Sequence, residues 1–282
     1  MTRRDFIAAL GAGAATLAGC RCPFGGARHP IALQLYSIHK LMWAETPPEE
    51  AFAKIRDIGY DGVEFAGVGG RNARQIRKLL EDAGLRGMGT HLSRLEQFQG
   101  DKLKANLDFC AEAGIESLTN AAARFRTPAE ARAYAEVMGA AAETARAWNI
   151  PVSVHNHCDE LTLKFDGVSA WDCMLGQAGT VLQQQLDSGQ VMKVGDDPVE
   201  RVRRYRGRNF SAHMKENMPS EWGFFGVPPD NGGKVVPWRD LVMAYEDDPS
   251  FRWYVVESAC KPDSLVPAER NYGFLSALVE SI

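Results

Sequence analysis

Glu64, His91, His155, His157, Glu160, Asp187, His213, Lys215 and Glu257 are the residues of this chain whose types could do chemistry together. Mixed carboxylates and imidazoles suit a single divalent cation such as Mn2+, Zn2+, Co2+ or Mg2+, without selecting among them. Gathered without a cation, the acids would repel one another. An imidazole near its ordinary pKa also suits proton transfer at neutral pH. Each residue has a plainer role open to it. A lone Glu is commonly solvated or salt-bridged, a lone His can cap a turn, and Lys215 could pair with Glu216 or Glu257. Convergence decides between these readings, and the elements that carry the residues decide convergence.

Those elements alternate. Strands are expected at Ile31–Tyr36, Tyr60–Phe65, Leu85–Thr90, Ile115–Thr119, Ile150–His155, Val181–Leu186, Asn209–Met214 and Arg252–Glu257. Helices are expected between them at Pro47–Ile58, Arg71–Ala83, Asp101–Ala113, Thr127–Trp148, Val168–Gln177, Pro198–Tyr205 and Pro237–Tyr245, with a last one through Ser264–Val279. Gly59 reads as a left-handed helix end and Thr127 as an N-cap. Eight strand–helix units imply a single-domain α/β fold, a closed (β/α)8 TIM barrel over 31–282. An open doubly wound sheet is disfavoured because no Gly-x-Gly-x-x-Gly turn follows the first strand. In such a barrel, catalytic groups project from the C-terminal strand ends, where the acids and histidines fall.

The N-terminus carries a different message. Arg3-Arg4 followed by a weakly apolar run resembles a twin-arginine signal, and Leu17-Ala18-Gly19-Cys20 resembles a lipobox. The expectation is a signal over 1–19, a lipid on Cys20 as the membrane contact, a linker over 20–30, and an exported protein, periplasmic or membrane-anchored. Cys22, Cys110, Cys158, Cys173 and Cys260 are odd in number and widely spaced, so most are expected to be buried small residues rather than a disulfide framework. The net charge of −4 argues against a nucleic-acid surface. The basic run Arg201, Arg203, Arg204, Arg206 and Arg208 reads as a solvated helical face.

From about Ile31 onward the chain resembles the sugar phosphate isomerase/epimerase superfamily, the xylose isomerase-like barrels. The resemblance rests on Leu33-Gln34-Leu35-Tyr36-Ser37, Gly59-Tyr60-Asp61-Gly62-Val63-Glu64, His155-Asn156-His157-Cys158-Asp159-Glu160, Gln185-Leu186-Asp187-Ser188-Gly189, His213-Met214-Lys215-Glu216 and Val256-Glu257. The third of these resembles a subgroup's His-Asn-His-x-x-Glu. The resemblance implies one divalent metal ion held by Asp187, His213, Glu257 and a strand-five ligand. Glu160, the acid of the His-Asn-His-x-x-Glu pattern, is assigned to that place, and His155, at the strand end itself, is the alternative. His155, His157 and Lys215 are then the expected catalytic groups, with Glu64, His91, Gln190 and Trp222 as substrate contacts. Gln190 and the segment Trp222–Gly233 depart from the superfamily pattern, which leaves the substrate open.

The activity implied is isomerisation, epimerisation or carbon–oxygen lysis of a sugar or keto-sugar, a 3-keto-glycoside among them, through an enediolate with histidine acid/base chemistry. The rivals are a metal-dependent hydrolase of the endonuclease kind and a carbohydrate-binding lipoprotein without activity. Trp222, Phe224, Phe225 and Trp238 could stack on a sugar face or pack in the core. A homo-oligomer is compatible with the sequence.

Overall fold

Short buried runs become strands here because each can hide both of its faces, one against helices and one inside a closed sheet. The computed structural model describes residues 28–42, 46–217, 221–230 and 232–282; the twin-arginine stretch, Cys20 and Cys22 lie outside them. The strands are β1 (Ile31–Gln34), β2 (Gly62–Phe65), β3 (Arg86–Leu92), β4 (Leu118–Asn120), β5 (Val152–His155), β6 (Lys164–Phe165), β7 (Val168–Ser169), β8 (Gln183–Asp187), β9 (Ser211–Met214) and β10 (Trp253–Val256). All but β6 and β7 form a closed barrel in the order β1-β10-β9-β8-β5-β4-β3-β2, with every neighbouring pair parallel. The (β/α)8 expectation holds, and the open sheet is excluded.

The helices wrap the barrel as α1 (Pro48–Ile58), α2 (Ala73–Ala83), α3 (Gly100–Ala113), α4 (Pro128–Ala145), α5 (Cys158–Thr162), α6 (Ala170–Gln177), α7 (Ser188–Lys193), α8 (Pro198–Arg204), α9 (Trp238–Glu246) and α10 (Val266–Glu280). Gly59 closes α1 at φ 119°, a region that L side chains avoid. Thr127 caps α4 in a reciprocal box with Glu130. The antiparallel hairpin β6–β7 and the short helices α5 and α7 were not expected from the sequence. Tyr60, expected to open β2, instead lies in the connection before it and donates its hydroxyl to the Ala268 carbonyl at 2.8 Å. Among the described residues no helix is long and apolar enough to cross a membrane.

The barrel interior is stacked in layers. Ala32, Met88, Trp253 and Val255 form an apolar floor that is separate from the larger core between strands and helices. Side chains two residues apart on a strand share a face. Ser153 and His155, Gln185 and Asp187, Ser211 and His213, and Val255 and Glu257 are such pairs. The second member of each stands one layer nearer the C-terminal mouth.

The arginine run is not a uniformly solvated face. Arg201 is buried, pairing with Asp172 at 2.8 Å and with Asp196, while Arg208 donates to the carbonyls of Leu182 and Leu175. Of the described cysteines all are free thiols, and only Cys110 is buried.

Candidate metal centre at the barrel mouth

Neighbouring strands bring the donors together through register. Asp187 on β8 pairs with His213 on β9, and His155 on β5 pairs with Gln185, two residues before Asp187. Glu257 follows β10 directly and donates its backbone N–H to the Met214 carbonyl at 3.1 Å. His155, Asp187, His213 and Glu257 thus each offer a ligand atom within 4.8 Å of the others, and all four are buried. His91, His155 and His213 form a second, overlapping group.

Below the donors lies Glu64, fully buried. A register shift between Val63 and Glu64 sets it against Gly89, where a Cβ would stand 3.4 Å from the Glu64 carboxylate and collide with Ser117. Glu64 accepts from Gln34, from Gln185 Nε2 at 2.7 Å and from His213 Nε2 at 2.6 Å, and His91 Nε2 lies 3.3 Å away. His213 Nδ1 meets Glu257 Oε2 at 2.7 Å, so one imidazole is clamped between two carboxylates. Lys215 Nζ lies 2.9 Å from Glu257 Oε1 and 3.5 Å from Asp187 Oδ2. Of the pairings open to Lys215 it thus takes Glu257, not Glu216.

Proton affinities follow from these contacts. Burial alone would raise the Glu64 carboxyl, but the His91 and His213 imidazoles outweigh it and hold it well below the usual range. Burial would lower His213, yet Glu64 and Glu257 push it up to about 10. Burial likewise opposes the charge on Lys215, and Asp187 with Glu257 raise it above its ordinary value. For Asp187 burial dominates, with Glu257 adding to it, and its carboxyl is raised despite Lys215. His155 is held well below its normal value by burial and by the facing His213, His91 and His157 rings. Burial also lowers His157.

A divalent cation fits this set. Asp187 Oδ2 is buried and lacks any hydrogen-bond partner, a costly condition that a ligand bond would relieve. Oxygen and imidazole nitrogen are the donors that Mn2+, Zn2+ and Co2+ take. Asn156 accepts the Asp187 backbone N–H at 2.9 Å, and Asp187 Oδ1 accepts the Gln190 N–H, which holds the carboxylate in place.

The expected residues divide into those the fold gathers and those it places elsewhere. Glu160, assigned from the resemblance as the strand-five ligand, is outside the cluster. It lies in the first turn of α5, where its carboxylate accepts the His157 backbone N–H at 2.9 Å, and His155 takes the strand-five place. Glu64 is sealed beneath the donors rather than exposed to a substrate. Gln190 accepts from the Cys158 thiol at 2.8 Å. Trp222 stacks with Phe224 and lies beside Lys261, while Phe225 and Trp238 stack on one another in the core.

His91 and His157 line the cleft above the donors, together with His155, His213 and Glu257. Gln185, part of the Gln185–Gly189 motif but without an expected role, joins Glu64, His91 and Ser211. Its signal was the two-residue step to Asp187.

A closed parallel barrel with acid and histidine donors at its C-terminal mouth defines the class. The chain belongs to the xylose isomerase-like TIM barrel family, whose model matches residues 52–275. No curated protein matches it by sequence. Solved structures share the fold. One is a sugar phosphate isomerase/epimerase from Parabacteroides distasonis, with a TM-score of 0.74 and 20% identity over 88% of this chain and 98% of that one. Another is an L-ribulose 3-epimerase, at 0.67 and 15% over 90% and 95%. A third is the IOLI protein solved with a zinc atom, at 0.63 and 10% over 89% and 97%.

Proposed function

We propose that this protein is a divalent-metal-dependent isomerase, epimerase or carbon–oxygen lyase acting on a sugar or keto-sugar, with 3-keto-glycosides among the candidates. The observation that carries the reading is the convergence of His155, Asp187, His213 and Glu257, with the Asp187 Oδ2 atom buried and without a hydrogen bond. A cation held by these four would supply Lewis-acid charge beside an oxyanion developing on the substrate.

The chain's own groups supply the rest. With His155 among the donors, His157 is the imidazole left for proton transfer. It lines the cleft, and burial keeps it neutral at pH 7, the form that accepts a proton from carbon next to a carbonyl. Lys215, held charged by Asp187 and Glu257, can donate toward an oxygen. His91 lines the same cleft and is positioned by Gln185 at 2.8 Å to meet a substrate hydroxyl. Structural neighbours bearing epimerase and isomerase names, and one solved with zinc, support the same reading.

The test is turnover of a keto-sugar panel in D2O by metal-loaded protein, with deuterium followed at the carbon beside the carbonyl. Incorporation that stops with EDTA is expected. No exchange and no turnover across the panel would sink the enzyme reading.

We also propose that residues 1–19 direct export and that Cys20 carries a lipid. The mature protein should then partition into membranes with a diacyl mass increment, and Cys20→Ala should abolish both.

A further inference from the structure

The cleft above the donors encloses about 550 Å3, within the usual range for small-molecule sites. Its two sides have different chemistry. Strands β5, β9 and β10 supply His155, His157, His213 and Glu257, whereas the ends of β1 to β4 supply the opposite wall. That wall mixes the small or apolar Ala66, Leu92 and Ala121 with the polar Ser93 and Gln97, and it includes Arg124 in the connection from β4 to α4. Among the described residues, Arg124 is the one Lys or Arg lining the cleft, and Glu257 is the one acid. Glu257 is already engaged by His213 and Lys215. Arg124 is exposed and has neither an ion pair nor a hydrogen bond among the described residues. Two positions on, Arg126 pairs with Asp159 at 3.2 Å, so the same connection spends one guanidinium on structure and leaves the other facing the cleft.

We propose that Arg124 binds an anionic substituent, a carboxylate or a phosphate, on a sugar whose hydroxyl-bearing end lies at the donor cluster. The planar fork of a guanidinium matches both groups through two parallel hydrogen bonds. Tyr36 lines the cleft too, half exposed and stacked on His39 with ring centroids 4.4 Å apart, and offers a flat face to the sugar ring. The substrate class is therefore a sugar acid or a sugar phosphate rather than a neutral ketose. This inference rests on the sugar-converting reading above, which seats the polyol at the donors.

Calorimetric titration of the metal-loaded protein with fructose, fructose 6-phosphate and glucuronate tests it. At least one of the two anions should bind about 10- to 100-fold more tightly than fructose, with a margin that shrinks as salt is added. Arg124→Ala should erase that margin and leave fructose binding unchanged, while Arg124→Lys should keep part of it. The anion that loses more in Arg124→Ala identifies carboxylate or phosphate as the preferred group. Equal binding of all three compounds, or a margin that survives in Arg124→Ala, overturns the proposal. A thermal melt of each variant guards against misfolding, and Arg124→Gln serves as a second neutral replacement. Because titration needs no turnover, the two readings fail separately. An Arg124-dependent margin without α-proton exchange sinks only the enzyme reading, and fructose turnover without the margin sinks only this one.

Discussion

His155 and Asp187 face each other at the barrel mouth with Nε2 4.0 Å from Oδ2, and His155 Nδ1 and Asp187 Oδ2 are both buried without a hydrogen-bond partner. Buried polar atoms in native folds are nearly always paired. The Asp187 Oδ2 orphan, with His155 Nε2 opposite and an acid and an imidazole beside it, marks a place where a cation stabilises more than it displaces.

Metal affinity should therefore depend on His155 and not on Glu160. His155→Ala and Asp187→Ala are each expected to weaken divalent-ion binding by at least about 100-fold, beyond the loss typical of a supporting residue. Glu160→Gln, altering a carboxylate that caps α5, should change it by less than about fivefold. Metal content after dialysis, together with calorimetry, reads both. Loss in Glu160→Gln with retention in His155→Ala would restore the ligand set suggested by the family resemblance.

The metal-free protein should be most stable at about pH 6.5 to 7, because His155 and His157, held below their normal value by burial, oppose folding as pH falls through ~6.5. His213 is pushed up to about 10, above the ~6.5 of an unfolded chain, so its contribution is complete below ~6.5 and lost as pH rises through about 10. Glu64 and Glu257 are held below their ordinary range, so theirs is complete above ~4.3 and lost in acid. Thermal melts from pH 4 to 10 without metal should peak at about pH 6.5 to 7. A cation that takes a nitrogen of His213 must displace its proton, so affinity should rise by up to about tenfold per pH unit below 10. Melting temperatures that climb from pH 7 to 10 in EDTA would contradict the clamped imidazolium.

Much of this was legible in the sequence because strand and helix periods differ, and because ligands at strand ends follow buried runs. Asp187, His213 and Glu257 could be placed that way. Glu160 falls outside the cluster through its position rather than its charge type. His155 sits on the strand itself, whereas Glu160 is carried away by a helical turn that begins at Cys158. The burial of Arg201 was equally hidden, since its partners Asp172 and Asp196 reach it only through the folded chain.

Gln185 should prove to be a positioning residue. Its amide donates to Glu64 and Ser211 and its carbonyl faces His91 Nε2 at 2.8 Å, all inside the barrel. Gln185→Leu strips a donor from a buried carboxylate and a partner from an imidazole, at a cost of roughly 1–3 kcal/mol for the unpaired group. Turnover should fall with little change in metal content, because His91 loses the contact that orients it. A variant that only melts earlier, with turnover unchanged below its melt, would reduce Gln185 to packing.

Glu216 presents the sharpest contrast with its neighbour Lys215, for it turns away from the cleft and holds the long β9–α9 connection. Its two oxygens accept from the backbone N–H groups of Asn217, Gly226 and Val236 and from the Trp238 indole, at 2.8–2.9 Å, and the residue is 2% exposed. Four donors on one buried carboxylate are a strong local anchor, since hydrogen bonds to a charged group exceed neutral ones. Glu216→Ala leaves all four unpaired and should destabilise the protein by about 3–5 kcal/mol, at the extreme of single substitutions. Glu216→Gln keeps the shape but turns an –NH2 toward one pair of donors, so it should fall between Ala and the native protein. Trp238→Phe removes one donor and keeps the ring stacked on Phe225, and its cost should be about 1–2 kcal/mol. Hydrogen exchange separates an anchor from a general packing residue. In Glu216→Gln the amides of Gly226 and Val236 should lose protection while those of β1 to β4 keep theirs. Uniform loss across the barrel would mean that Glu216 supports the whole fold rather than this one connection.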